Sequence, residues 1–286
     1  MGKHFVPQFY LRAFQDSAKP GFIWTWVRGN QAPDRLPIVS VAQSPDFYDP
    51  DTERELAELV EKPANPIFRK LWAREQLQAD ERLAFSIYLA TMMYRVPKAR
   101  ERSIASVPSV LESTMQTIRD EVSALVDSGQ ITAERHAAIQ TQLAEAHARI
   151  AANPVPVVRD QIRDPRPSQK VVEAIMQMTW RIITAPIGEM FLTSDNPVFY
   201  HGAFGIGRPE SELRFPISPS LALHATRQPN PRGPLTYEPA PKEWVREFNR
   251  SVASGAHRLV FTHRKTSWVG KLLHRSNPYL FRLRWT

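Results

Sequence analysis

Three short stretches of this chain carry side chains that can move protons or grip an anion. The first is KHFVPQFYLRAF, Lys3–Phe14, with His4, Gln8 and Arg12. An imidazole exchanges protons near neutral pH. Arg offers phosphate or carboxylate a planar fork of donors. If the stretch turns helical after Pro7, Gln8, Leu11 and Arg12 share a side; if it stays extended, His4, Val6 and Gln8 do. Either way the three polar groups lie within about 10 Å by chain reach. The second stretch is TSDNPV, Thr193–Val198. Pro197 holds Asn196 extended, so Asp195 and Asn196 sit at a fixed turn. There a carboxylate can hold a metal or orient a histidine, and an amide can hold an oxyanion. The third is YRVPKARER, Tyr94–Arg102. Arg95 closes an apolar helix just before Pro97 and needs an anionic partner if buried. Asp195 and Glu58 are the candidate carboxylates. Arg100 follows past the proline.

Each stretch also has a plain structural reading. Phe5, Phe9, Leu11 and Phe14 can plug a core with His4 at its edge. TSDN can be an Asx turn. Arg95 can belong to a structural ion pair.

The elements that position these residues are legible in outline. FIWTWVRG (Phe22–Gly29) and RLPIVSVAQ (Arg35–Gln43) read as a β-hairpin around Gly29-Asn30. Asp51 or Thr52 is expected to cap a helix to about Val60, and Pro66 to open a further piece to Ala73. Asp80 is expected to cap a helix that is apolar nearly all round from Leu83 to Met93, and so central and buried. Pro97 kinks or ends it. From Ser103 to Ala152 apolar residues step by threes and fours, broken at Ser128-Gly129; this is a long helical hairpin with a narrow seam. Asn153–Gln169 is a Pro-rich, charged connector. Lys170–Thr184 reads as helix, and residues 227–241 as loop. MFLTSDNPVFYHG and LRFPISPSLALHAT each read as strand, turn, strand. PKEWVREFNRSVASGA is a helix and HRLVFTH a strand. The expected class is α+β: mostly helical, with a small mixed or antiparallel sheet built from the N- and C-terminal segments and a long inserted helical hairpin. Residues 1–286 read as a single domain, with 103–165 the inserted hairpin and connector.

Composition narrows the function classes. With no cysteine, disulfides, thiolate nucleophiles and Cys-based metal sites are excluded. Walker-type, H-E-x-x-H and G-x-S-x-G motifs are absent. Pro7, Gln8 and Arg12 interrupt any leader-like apolar core, and apolar runs such as Leu89–Met93 are far shorter than a membrane span, so a cytoplasmic protein without membrane contact is expected. The net charge is +8, and residues 208–286 alone hold 14 Lys and Arg against 5 Asp and Glu. Such a basic region favours a polyanionic partner, nucleic acid foremost.

HFVPQFYLRAF, LAFSIYLATMMYRVPKARE, FLTSDNPV and FPISPSLAL together resemble the domain of unknown function 4238 family over nearly the whole chain, with the region around 103–165 as its variable part. The resemblance extends to Asp46-Phe47-Tyr48, to the acidic helix with Glu55, Glu58 and Glu61, and to a late helix that adds Asn249. It implies a shared set of polar residues and no reaction. On that pattern His4, Asp195 and Arg95 are the expected catalytic residues. Gln8, Arg12, Asn196, Asn249 and Arg100 are the expected substrate contacts, and Asp195 and Glu58 the candidate ligands of a divalent metal ion. Two function classes follow. One is a nuclease or phosphodiesterase of toxin or defence type, with His4 as general acid or base, Asp195 orienting it or holding a metal ion, and Arg95 stabilising phosphate charge. The other is a non-catalytic module that binds nucleic acid through its basic C-terminal region and Trp244, Trp268 and Trp285, or a protein through the hairpin. Turnover marks the first class; salt-sensitive binding without turnover marks the second.

Overall fold

The structure, a computed structural model, describes residues 3–45, 47, 49–162, 167–200, 205–229 and 235–275; Asp46, Tyr48 and Trp285 lie outside them. The chain begins with β1 (Lys3–His4), α1 (Gln8–Leu11), β2 (Phe22–Val27), β3 (Asp34–Pro37) and β4 (Gln43–Ser44). Helices follow: α2 (Pro50–Leu56), α3 (Lys62–Trp72), α4 (Ala79–Tyr94), α5 (Pro97–Asp127), α6 (Ala133–Ala152), α7 (Val155–Ile162) and α8 (Gln169–Met176). The C-terminal part holds β5 (Thr179–Thr184), β6 (Thr193–Ser194), β7 (Phe199–Tyr200), β8 (Glu212–Pro216), β9 (Leu221–Thr226), β10 (Leu235–Pro239), α9 (Lys242–Gly255), β11 (Leu259–Thr262) and α10 (Trp268–Arg275). Helix predominates and the sheets are small, which is the expected α+β class.

Two compact units form: Met1–Lys98 with Asp164–Thr286, and Ala99–Arg163. In the second, α5 and α6 make the expected helical hairpin. The turn between them uses Gly129 at φ +70°, a conformation that costs glycine little. Thr132 caps α6 by accepting the Arg135 amide. Leu111, Met115 and Val122 of α5 are buried.

The first unit contains a five-stranded sheet ordered β10-β5-β9-β8-β7 and a four-stranded sheet ordered β3-β2-β11-β6. The second of these joins N-terminal and C-terminal strands, as the sequence suggested. Several local expectations change. Asp49, rather than Asp51 or Thr52, caps α2 by accepting the Thr52 amide at 2.8 Å, with Pro50 opening the helix. Pro63 lies in the first turn of α3, so Pro66 sits inside that helix instead of opening it. Gln78 with Glu81 forms a capping box for α4, in place of Asp80. The connector holds a helix, α7, and Thr179–Thr184 is a strand rather than a helix end. From Thr179 to Ile182 half-buried and buried positions alternate, the period of a strand. The supposed loop 227–241 contains β10, which pairs parallel with β5.

The five-stranded sheet is two-faced. Trp180, Ile182, Leu213, Phe215, Leu223 and Ala225 share one side and are buried. On them rest Tyr10 of α1, Phe68 of α3, and Phe85 and Tyr88 of α4. Tyr10 stacks on Phe215 with centroids 5.1 Å apart, and Phe85 meets Trp180 edge-on at 5.8 Å. The other side is polar: Arg181, His224 and Arg214 lie abreast on three neighbouring strands. Helix α9 covers part of it and also reaches the four-stranded sheet. Val245, Phe248 and Val252 share one buried cluster with Ile183 and Ala222 of the first sheet and Trp26 and Val260 of the second.

On the polar side Glu212 is clamped between His224 Nε2 at 3.0 Å and the Arg214 guanidinium. Burial alone raises the Glu212 carboxyl, but the His224 hydrogen bond and the Arg214 charge outweigh it and hold the group at about 2, against an ordinary 4.5. A depressed carboxyl stabilises the fold above its unfolded value and loses that contribution as pH falls toward the folded value. We therefore expect wild type to lose about 3 kcal/mol relative to Glu212→Gln between pH 5 and pH 2. Urea unfolding followed across that range tests this; parallel acid profiles for the two proteins would refute the clamp.

Candidate functional site

The signature residues separate into two fastenings and a cleft. At the first fastening, Pro7 ends the extended entry and α1 begins, which puts His4 and Gln8 one above the other. His4 Nε2 donates to the Val39 carbonyl at 3.2 Å, and Gln8 Nε2 approaches Nδ1 at 3.5 Å. The imidazole is thereby the Nε2–H tautomer, and burial lowers its pKa. Arg95 is 4% exposed at the C-terminal end of α4. It donates to Glu61 Oε1 and to the main-chain oxygen of His4, each at 2.8 Å. The guanidinium thus meets the backbone of His4 rather than its ring. The carboxylate is Glu61, in place of the expected Asp195 or Glu58. Glu58 lies one helical turn away, exposed and paired with Lys62 at 2.9 Å.

The second fastening gathers Asp195, Asn196 and Asn249. Asp195 is 1% exposed. Its Oδ1 accepts the His257 amide at 2.8 Å, and Oδ2 accepts those of Arg258 and Leu259 at 2.7 and 2.8 Å. Burial raises this carboxyl against the pull of those three amides. Asn196 Nδ2 donates to the Gly255 carbonyl at 2.8 Å. Asn249, buried on α9, accepts the Leu192 amide and donates to the Met190 carbonyl. The three side chains staple segment 190–196 to the end of α9 and the start of β11. With both oxygens of Asp195 engaged by amides, its carboxylate is not a partner of the His4 ring. Among the described residues no three His, Asp or Glu side chains are grouped to hold a metal ion. Arg100 lies on α5 in the other unit.

Arg12 belongs elsewhere. It lies one turn past the start of α1, at the edge of a cleft of about 740 Å³, within the range of ligand sites. Trp72, Glu189, Ser218, Ser220, His263 and Arg264 also line it. Arg12 is exposed and makes no ion pair or side-chain hydrogen bond among the described residues. Arg264 donates to the Gly188 carbonyl at 3.3 Å, and Glu189 is held by Arg246 at 3.2 Å. The His263 ring is half-buried, with its Nδ1 buried and without a hydrogen-bond partner among the described residues. Burial and the neighbouring Arg264 charge lower its pKa. Trp72 is 41% exposed at the rim. Of this group the sequence reading singled out only Arg12. His263 carried one signal, a histidine ending a strand directly before Arg264-Lys265.

The fold and these contacts define an α+β protein with sheets of five, four and two strands, whose N-terminal segment is packed into the core beside an open, Arg-bearing cleft. The chain belongs to the family described as Protein of unknown function (DUF4238), whose model matches residues 3–266. No curated protein and no solved structure matches it. Among the described residues no helix is long and apolar enough to cross a membrane.

The Asp195 staple makes a stability claim that separates fastening from catalysis. Removing the acceptor of three buried amides is expected to cost on the order of 3–5 kcal/mol. Asp195→Ala should unfold at markedly lower urea than wild type. An unchanged or raised midpoint would show that the carboxylate is not holding the α9–β11 junction.

Proposed function

We propose that this protein binds the phosphate backbone of a nucleic acid in the cleft beside α1. The observation that carries the reading is the Arg12 guanidinium, which has no anionic partner among the described residues and opens onto the same cleft as Arg264 and His263. A cation free of counter-charge beside a second one suits a phosphate. Ser218 and Ser220 add hydroxyls at the cleft wall, and the exposed Trp72 ring offers a face on which a base can stack. The basic excess of residues 208–286 extends the attraction beyond contact distance.

A second reading, phosphodiester cleavage, is favoured by the place of His263. An imidazole with a lowered pKa is neutral near pH 7 and accepts a proton from an attacking hydroxyl, while Arg12 and Arg264 stabilise phosphate charge. In this reading His4, Arg95 and Asp195 hold the fold, and His263 is the proton-transfer group.

Anisotropy with labelled single-stranded RNA and DNA tests binding. Affinity should fall steeply with salt. Arg12→Gln should weaken binding about equally for all sequences and lower the salt slope by about one. Binding that ignores salt, or that Arg12→Gln leaves intact, overturns the proposal. Incubating the same oligonucleotides with wild type, His263→Ala and His4→Ala separates the two readings: cleavage lost only in His263→Ala supports hydrolysis in the cleft, and cleavage that His263→Ala spares refutes it.

A further inference from the structure

One side of the four-stranded sheet carries aromatic rings that neither fastening uses. Along β2, Ile23 and Thr25 point one way and are buried; Phe22, Trp24 and Trp26 point the other. Val269 and Leu273 of α10 share a buried cluster with Trp26, which closes that end. Phe22 and Trp24 stay half-buried. A sheet face left to solvent ordinarily turns polar. This one presents two rings at alternate positions, about 7 Å apart along the strand.

Exposed cations stand over these rings. A turn closed by the Phe22 amide on the Lys19 carbonyl, with Gly21 at φ +81°, folds Lys19 back. Its Nζ sits over the Phe22 ring, 3.8 Å from the centroid. Arg35, opposite Trp24 on β3, and Lys265, past the end of β11, lie 5.4 and 5.7 Å from the Trp24 centroid. Asp16 pairs with Arg35 at 3.1 Å. Asp34 is in register with Thr25, on the other side of the sheet. Lys19 and Lys265 make no ion pair or side-chain hydrogen bond among the described residues, so both charges remain after Asp16 is set against Arg35. The face also runs into the cleft. Thr262 Oγ1 donates to the Arg264 carbonyl at 2.8 Å and holds the turn that leaves β11. From that turn Arg264 lines the cleft, while the next residue, Lys265, approaches Trp24.

We propose that this face binds single-stranded nucleic acid, with successive bases stacking on Phe22 and Trp24 and the phosphates between them meeting Lys19 and Lys265. The proposal rests on the cleft reading for the class of partner, and it adds that the strand is single and crosses Lys265 onto the sheet. Base faces are hidden in a duplex and open in a single strand, so aromatic rings on a sheet favour the latter. A cation resting on an exposed ring gains less than a base stacked there. Lys19 and Lys265 therefore yield the ring faces to bases, and their flexible stems carry the ammonium groups to the phosphates. Stacking of this kind tolerates any sequence, because every base has a π-face.

The test is anisotropy with a short labelled single strand and its matching duplex, joined to NMR of the full chain. Wild type should bind the single strand at least about tenfold more tightly than the duplex. Trp24→Leu should weaken single-strand binding about tenfold and leave the salt slope and duplex binding unchanged. Lys19→Gln and Lys265→Gln, both at exposed positions, should each lower the salt slope by about 0.7. The Trp24 indole N–H resonance, identified by its loss in Trp24→Leu, should move when the single strand is added to wild type; dispersed spectra report the fold of each variant. An unmoved indole resonance with Trp24→Leu binding like wild type overturns the proposal, and if Arg12→Gln still weakens binding, the cleft reading survives without it. Weakening in Trp24→Leu that Arg12→Gln does not share supports the sheet face and overturns the cleft reading. Equal affinity for single strand and duplex overturns the proposal, as does binding to phosphatidylserine vesicles that Trp24→Leu weakens equally.

Discussion

The Tyr10 hydroxyl is the contact on which the rest of the first unit depends. It donates to the Pro216 carbonyl of β8 at 2.8 Å and meets Thr193 Oγ1 of β6 at 2.6 Å. One side chain therefore ties the N-terminal helix to a strand of each of the two larger sheets. The phenol is wholly buried, and burial raises its pKa well above the ordinary value, so it stays a donor at any ordinary pH. Its ring lies among Phe14, Phe68 and Phe215. The segment is threaded inward, and Phe5, Val6, Leu11 and Phe14 of FVPQFYLRAF are buried with it.

Burying this segment brings main-chain polar groups into the interior, and each needs a partner. The signature side chains supply them. Arg95 satisfies the His4 carbonyl, Asp195 takes three amides, and Asn249 takes an amide and a carbonyl. The same logic governs other arginines. Arg28 donates to the Ala253 and Ala256 carbonyls at the end of α9, and Arg82 to those of Met176 and Met178 at the end of α8. These are carbonyls that a helix leaves unpaired at its C-terminal end. These polar side chains thus fasten the backbone of a core assembled from distant segments.

Period and punctuation carried the fold a long way. The all-round apolar character of Leu83–Met93, the 3–4 stepping in α5 and α6, and the Gly29 and Gly129 turns were all legible because each is local. TWRIIT was misread because it follows a genuine helix without a breaker, and only its pairing with β9 and β10 makes it a strand. β10 hid in a proline-rich stretch because parallel pairing leaves no nearby turn signal. The polar residues suffered from the same blindness. His4 and Arg95 do meet, but through a main-chain oxygen, and Asp195 faces amides that residue types do not reveal. Glu212, Arg214 and His224 were readable in principle: E-x-R on β8 and a lone His on β9 fall on alternate positions of adjacent strands. Recognising the pair required knowing the register.

The charge distribution then takes a different meaning from the one totals suggest. A chain with 37 Lys and Arg against 29 Asp and Glu looks poised for a polyanion. Much of that charge is already committed: Arg28 and Arg82 to helix ends, Arg95 to Glu61, Arg214 to Glu212 and Glu247. A guanidinium bound to carbonyls keeps its charge but presents few free donors to a ligand. Arg12 makes no ion pair or side-chain hydrogen bond among the described residues, and it lines the same cleft as His263. The same fastening engages His4, Asp195 and Asn249 with main-chain groups and leaves Arg12, in the same opening stretch, exposed at the cleft.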